Sequence, residues 1–152
     1  MHGHPRWIRR VFSDEDLHAI AAAIARAERG TAAEIRVHVE RRAPTRGDAL
    51  ARARAVFAHL QMHDSEHRNG VLIYLALEDR RLAIVGDAGI HQRVGDEYWT
   101  RIRDVMVTHM KSERARDAVI EAVGDVGRVL ADHFPRATGD GGASGDHVSV
   151  GR

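Results

Sequence analysis

The sequence predicts an α/β fold in which a small mixed β-sheet is sandwiched between helices. Val71 to Leu77 is a seven-residue run without a polar side chain on either face. Such a run is typical of a strand that other layers cover on both faces, so it belongs at the centre of a sheet. Four other stretches have apolar residues at helical spacing, and the predicted order of elements is α-β-α-β-β-α-α.

The first half of the chain predicts a helix, a strand and a second helix. Ser13 can cap a helix that continues to Gly30, because Asp16 lies at the third position and the first turn is acidic. The segment from Glu34 to Glu40 alternates polar and apolar residues, which indicates a half-buried strand with one polar face. The second helix is indicated by apolar residues at helical intervals, namely Ala49, Leu50, Ala53, Phe57 and Leu60.

The second half predicts a hairpin followed by two helices. Leu82 to Val85 folds back on the central strand through a short turn from Glu78 to Arg81. A third helix carries Trp99, Ile102, Met106 and Met110, and a fourth, which ends before Pro135, carries Val119, Val123, Val126 and Leu130. Residues 1–12 are predicted to be a basic and aromatic lead-in whose apolar residues pack onto the domain. Residues 13–136 form the domain itself. Residues 137–152 are a predicted disordered tail rich in Gly, Ser and Asp.

Composition excludes several classes of function. The chain has 152 residues, which fits one domain, and no Cys, so thiol catalysis and thiolate metal sites are excluded. Its 23 Lys and Arg residues nearly balance 22 Asp and Glu residues, so no global field attracts nucleic acid. No stretch predicts a transmembrane helix, and residues 1–12 lack the apolar run of a signal peptide. The sequence therefore predicts a cytoplasmic protein.

Several short motifs together resemble the TPM domain, a module named for a thylakoid lumen protein, a photosystem repair protein and a nematode receptor regulator. They are the Phe-Ser-x-x-Asp-Leu opening at residues 12–17, Thr31-Ala-Ala-Glu-Ile35, Asn69-Gly-Val-Leu-Ile73, Asp79-Arg-Arg, Gly86-Asp-Ala-Gly-Ile90, Trp99 and His133-Phe-Pro135. The resemblance covers about residues 12–136. It implies a Rossmann-like α/β sandwich, divalent cation binding with calcium as the usual ion, and a proposed acid phosphatase activity. Many relatives also carry a signal peptide and a membrane anchor, neither of which is predicted here.

Acidic residues are candidate ligands for a hard cation, Ca²⁺ or alternatively Mg²⁺, because such ions take several oxygen ligands. The candidates are Glu34, Asp79, Asp87, Asp96 and Glu97. Asp87 is the best single ligand, since the flanking glycines let the backbone bend and present carbonyl oxygens. Asp96 and Glu97 open the third helix and could simply cap it. Asp79 meets Asp87 only if the fold brings opposite strand ends together, and Glu34 otherwise lies on a solvated strand face.

Other polar residues are candidates for substrate or transition-metal binding. A metal-dependent phosphatase would use Asp87 and Asp96 for catalysis, with Arg80 or Arg93 holding phosphate oxygens. Asn69 is a further ligand or substrate contact, or an ordinary tight-turn residue. A rival metal site would use His59, His63 and His67, if the second helix continued far enough to place them on one face.

Three functions are open from the sequence. The first is a TPM-like interaction or maintenance module that binds a divalent cation at the loops ending the central strands. The second is a metal-dependent acid phosphatase of low efficiency that uses the same loops. The third is a membrane-linked assembly factor that meets an unknown partner through Arg6 to Phe12, where arginines alternate with aromatic and aliphatic residues.

Overall fold

Four strands and five helices make up the described part of the chain. The computed structural model describes residues 4–44, 46, 48–136 and 148–151. In chain order the elements are α1 (Arg6–Arg9), α2 (Asp14–Arg29), β1 (Ile35–Glu40), α3 (Ala49–His59), β2 (Val71–Ala76), β3 (Arg81–Gly86), α4 (Ala88–Lys111), α5 (Ala115–His133) and β4 (Val148–Val150). A short 3-10 turn at Met62–Asp64 lies between α3 and β2. The predicted element order is confirmed, with α1 added before it and β4 after it.

The strands form one mixed sheet in the order β3-β2-β1-β4. β1 runs parallel to β2 and to β4, whereas β2 and β3 are antiparallel. The predicted hairpin is therefore confirmed. The central position of the apolar run is also confirmed, because β2 lies between β3 and β1 and every residue of β2 is buried. β3 and β4 form the two edges of the sheet.

Helices cover both faces of the sheet, which confirms the predicted α/β sandwich. On one face, α2, α4 and α5 pack over β1 and β2 to form the main core. On the other face, α3 places Phe57 against Leu72 and Tyr74. Ile8 and Phe12 are completely buried in the main core, so the N-terminal lead-in packs onto the domain.

The starts of α2 and α4 show how local sequence sets the helix boundaries. α2 has the predicted capping box: Ser13 Oγ accepts from the Asp16 N–H at 3.0 Å, and Asp16 Oδ2 accepts from the Ser13 N–H at 3.0 Å. α4 begins earlier than the sequence predicts, because Asp87 caps it and Ala88 is its first residue. The helix is interrupted at Gly95, where φ is 78°. Glycine tolerates this left-handed conformation, and the predicted start at Asp96 follows the interruption.

The polar face of β1 is more buried than the predicted half-buried strand implies, because His38 and Glu40 are buried and Arg36 is partly exposed. His38 and Glu40 both lie next to Tyr74, and the Arg52 side chain extends from α3 to Glu40. Glu40 accepts from Arg52 Nε at 2.9 Å and Nη2 at 2.7 Å, and from the Tyr74 hydroxyl at 2.7 Å. Burial opposes ionisation, but these hydrogen bonds outweigh it and lower the pKa of Glu40 to about 2. The buried charge is therefore fully paired.

The predicted disordered tail contains a strand. Val148–Val150 pairs in parallel with residues 37–39 of β1. The two valines pack against the main core, and Ser149 Oγ lies 2.6 Å from His38 Nδ1. Val-Ser-Val is a short alternating segment, which this pairing turns into an edge strand. Residues 137–147 and 152, which also belong to that predicted tail, lie outside the described residues.

Glu28 joins the end of α2 to the start of β1 and is 2% exposed. Its Oε2 accepts a hydrogen bond from the Ile35 N–H at 2.7 Å. Burial raises the pKa of Glu28 to about 7, although the bond from Ile35 acts in the opposite direction. The folded protein therefore retains a proton on Glu28 at pH values where the unfolded chain has lost it.

We expect Glu28 to make stability fall as pH rises. The pKa of Glu28 is 4.5 in the unfolded chain and about 7 in the folded protein. Between these pH values the folded state binds more protons than the unfolded state, so the free energy of unfolding decreases as pH rises. The decrease is on the order of 2 kcal/mol. Glu28→Gln should remove this component when urea unfolding is compared with wild type at about pH 5 and about pH 8.

The control for this prediction is Glu15→Gln, which neutralises an exposed acid on the same helix. It should leave the pH dependence close to that of wild type. Equal pH slopes for wild type and Glu28→Gln would show that Glu28 is ionised in the folded protein at low pH.

Candidate functional site

The candidate site lies at the end of the sheet where β1 and β2 begin and β3 ends. Glu34 precedes β1, Asn69 precedes β2 and Asp87 follows β3. Backbone hydrogen bonds hold these chain segments together. The Asp87 N–H donates to Gly70 O at 2.9 Å, and the Val71 N–H donates to Glu34 O at 3.0 Å. The fold thus brings three of the predicted site residues to one end of the sheet.

Asp87 is the buried carboxylate of this site, with 4% of its surface exposed. Its Oδ1 accepts from the Ala88 N–H at 2.8 Å and lies 3.1 Å from His63 Nδ1. Its other oxygen, Oδ2, is buried without a hydrogen-bond partner among the described residues. An unsatisfied buried oxygen of a carboxylate is costly, so a water molecule or a cation at Oδ2 would be favourable.

The loop before β2 approaches the first turn of α4 closely. The Gly89 N–H donates to Arg68 O at 2.7 Å. A Cβ atom at position 89 would lie only 2.6 Å from the same oxygen and would also collide with the carbonyl of His67. Gly89 is therefore required by this close approach. Main-chain hydrogen bonds thus join the loop before β2 to Asp87 and Gly89. Asp87 caps α4 where the sequence predicts a Gly-punctuated loop.

Asn69 contributes a second buried polar group, with 2% of its surface exposed. Its Nδ2 has no hydrogen-bond partner among the described residues. An asparagine side chain carries both an acceptor oxygen and donor hydrogens, so a half-turn of the amide presents the oxygen instead. Asn69 and Asp87 are thus the two residues of the site that have unsatisfied buried atoms.

Two of the predicted acidic ligands do not join Asp87. Asp79 lies in the β2–β3 turn at the opposite end of the hairpin, where its carboxylate accepts from the Ala43 N–H at 2.7 Å. The antiparallel hairpin separates Asp79, in its turn, from Asp87, at its open end, so the two carboxylates do not converge. Asp96 has 93% of its side chain exposed and lies 3.3 Å from His91 Nε2.

The two predicted phosphate-binding arginines do not lie together. Arg80 is in the same turn as Asp79, in a left-handed conformation with φ 54°. Arg93 is on α4, and its guanidinium lies 4.8 Å from the centre of the Phe134 ring. The two arginines therefore occupy different parts of the molecule.

The rival histidine site is not formed. α3 ends at His59, His63 lies in the 3-10 turn and His67 lies near Phe134, so the three side chains do not share one helix face. Within the described ranges, no three His, Asp or Glu side chains form a group that could hold a metal ion. His63 instead partners Asp87. The sequence gives no signal for that contact, because it joins two loops distant in the chain.

These elements define an α/β domain with an open, four-stranded mixed sheet. The sequence model of the TPM domain matches residues 9–129, and the chain belongs to the TPM domain family. The predicted resemblance is therefore confirmed. No curated protein matches the chain. Among the described residues, no helix combines the length and the apolar character needed to cross a membrane.

Solved structures that resemble this one include two NMR structures. The NMR structure of the BA42 protein from the psychrophilic bacterium Bizionia argentinensis has a TM-score of 0.82 and 34% sequence identity, over 92% of this chain and 95% of that chain. The solution NMR structure of the N-terminal domain of a protein from P.gingivalis has a TM-score of 0.58 and 23% identity, over 84% of this chain and 83% of that chain. At 23% identity, the similarity to the second structure shows a common fold alone.

The cap on α4 leads to a stability prediction. Asp87→Asn keeps a side-chain oxygen that can cap the helix, whereas Asp87→Ala removes it. In EDTA, the alanine variant should be less stable than the asparagine variant by about 1 kcal/mol, measured by urea unfolding. Asp48 caps α3 through the Ala51 N–H at 3.0 Å, and the same pair of substitutions there calibrates the cost of losing a cap. Equal stability of the two Asp87 variants would contradict a capping role.

Proposed function

We propose that this TPM domain is a binding module that holds a divalent cation, with Ca²⁺ as the expected ion and Mg²⁺ as the alternative. The observation that supports this most directly is the buried Oδ2 of Asp87, which lacks a hydrogen-bond partner in the described part of the chain. A cation at this oxygen would offset the cost of burying the carboxylate. The site would serve an interaction or maintenance role.

The residues present fit a weakly held ion. Ca²⁺ accepts carboxylate, side-chain amide, backbone carbonyl and water oxygens, and its affinity falls as the number of charged ligands decreases. Asp87 would supply the charge, and Asn69 would supply an amide oxygen. Because the described residues form no cluster of three acidic or imidazole ligands, we expect a Kd of about 10⁻⁴ to 10⁻³ M.

The positions of the other candidate residues favour binding over catalysis. A phosphatase needs groups that hold phosphate next to the metal and the attacking oxygen. Here Arg80 lies at the opposite end of the hairpin, Arg93 packs on Phe134, and Asp96 is exposed beyond the break in α4. The residues proposed for phosphatase chemistry are therefore not assembled around Asp87.

The lead-in also gives little support to membrane docking. Ile8 and Phe12, two of its apolar residues, are fully buried in the main core, and Trp7 is partly buried against it. A segment that docks on a membrane presents such residues to the lipid. The binding module therefore remains the function that the geometry supports best.

Thermal unfolding tests the cation site. At about 100 times its Kd, a ligand that binds only the folded state stabilises it by about 2.7 kcal/mol. Wild type should therefore melt at a higher temperature with Ca²⁺ than with EDTA, and Asp87→Asn should abolish the rise while keeping the helix cap. Mg²⁺ and Zn²⁺ measured in parallel define the ion preference.

Asp96→Asn is the matched control, because it removes a neighbouring acid that is 93% exposed. It should keep the Ca²⁺-dependent rise. No shift with any ion would reject the cation proposal and leave water as the occupant of the site. A shift that persists in Asp87→Asn would place the ion elsewhere.

A further inference from the structure

A groove runs along the outer edge of β3, on the side away from β2. β3 is an edge strand, with α3 packed on one of its faces and α4 on the other. The strand therefore forms the floor of the groove and the two helices form its walls. The groove has a volume of about 940 Å³. It is separate from the buried Asp87 oxygen, although both lie along the same strand.

The floor of the groove carries unpaired main-chain groups. The hydrogen bond from the Asp87 N–H to Gly70 O marks a bonded pair of the antiparallel ladder. Bonded pairs recur at every second residue, so Val85 and Ala83 bond to β2. The N–H and C=O groups of Leu82 and Ile84 then point into the groove. No strand in the described part of the chain pairs with them, and such an edge is a template for another strand.

The walls of the groove are positively charged. Five arginines and two aspartates line it, whereas the whole chain has a net charge of only +1. Arg54 on α3 and the consecutive pair Arg80 and Arg81 are exposed, and none of the three has a carboxylate within 4.0 Å among the described residues. Leu50, which is 42% exposed, adds an apolar contact. The lining thus suits a ligand that is acidic and partly apolar.

We propose that the groove binds an extended acidic peptide segment of another protein, which adds to β3 as a fifth strand. The peptide backbone would pair with Leu82 and Ile84, and its Asp or Glu side chains would meet Arg54 and Arg81. This main-chain pairing distinguishes a peptide from nucleic acid or free phosphate, which could use only the arginines. The groove would then be the surface through which the domain binds a protein partner.

Two occupants from the same chain fit less well. A second copy pairing β3 with β3 would place two grooves of the same positive charge against each other, and like charges along an edge oppose such pairing. The C-terminal strand β4 lies at the other edge of the sheet, beside β1. An acidic segment from a different protein therefore matches the charge and the position of the open edge best.

Fluorescence anisotropy tests the proposal with a labelled peptide of alternating valine and glutamate. It should bind wild type, and Arg54→Glu and Arg81→Glu should each weaken binding about fivefold. Arg101→Glu is the matched control, because it reverses an exposed charge on α4 outside the groove and should leave affinity unchanged. Amide NMR spectra of each variant check that it is folded, and in wild type they should show shifts at Leu82 and Ile84.

A second peptide separates strand addition from charge attraction. It has the same sequence but N-methyl groups on alternate amides, which remove main-chain donors and keep the charge. Loss of its binding would support the proposal, whereas equal binding of both peptides would overturn it. Tighter binding of a single-stranded oligonucleotide of equal charge would overturn it as well, and so would dimerisation through β3 in sedimentation.

Discussion

Burial of β2 on both faces is the constraint on which the rest of the structure depends. All residues of Val71–Ala76 are buried, so this strand needs a neighbour on each side and a helical layer on each face. β1 and β3 supply the neighbours, and the helices supply the layers. Because β1 pairs with β2 in parallel, His38 lies opposite Tyr74, and Glu40 comes within hydrogen-bond distance of the Tyr74 hydroxyl. Glu40 is buried there, and Arg52 of α3 pairs with its charge.

The predictable part of the fold is the part that local patterns determine. The Ser13 capping box, the apolar run of β2 and the short turn to β3 each depend on residues close in sequence, and each is confirmed. The errors arise from distant contacts. Val148–Val150 is a strand because β1 offers it an edge. His38 and Glu40 of β1 are buried among side chains that are distant in sequence, namely Arg52, Tyr74 and Ser149. Such contacts cannot be predicted from the sequence of the strand itself.

The same distinction applies to the candidate site. The hairpin places Asp79 at the end opposite to Asp87, and the hairpin is predictable from sequence. The parallel pairing of β1 with β2 places Glu34 and Asn69 at the Asp87 end, and this pairing joins segments separated by α3. The contact between His63 and Asp87 is harder still to predict from sequence, because it depends on the path of the loop after α3. Sequence patterns could therefore nominate Asp87 but could not identify its surroundings.

The two proposed binding regions share one strand, and this connects them physically. Gly86 ends β3 and Asp87 immediately begins the cap of α4, while the Asp87 N–H also bonds to Gly70 at the start of β2. A cation on Asp87 would strengthen the junction between β3, β2 and α4. The open edge of β3 and the α4 wall of the groove both extend from this junction. Ion binding would therefore reduce the motion of the edge that the acidic peptide must join, and a pre-ordered edge loses less conformational entropy when a strand is added.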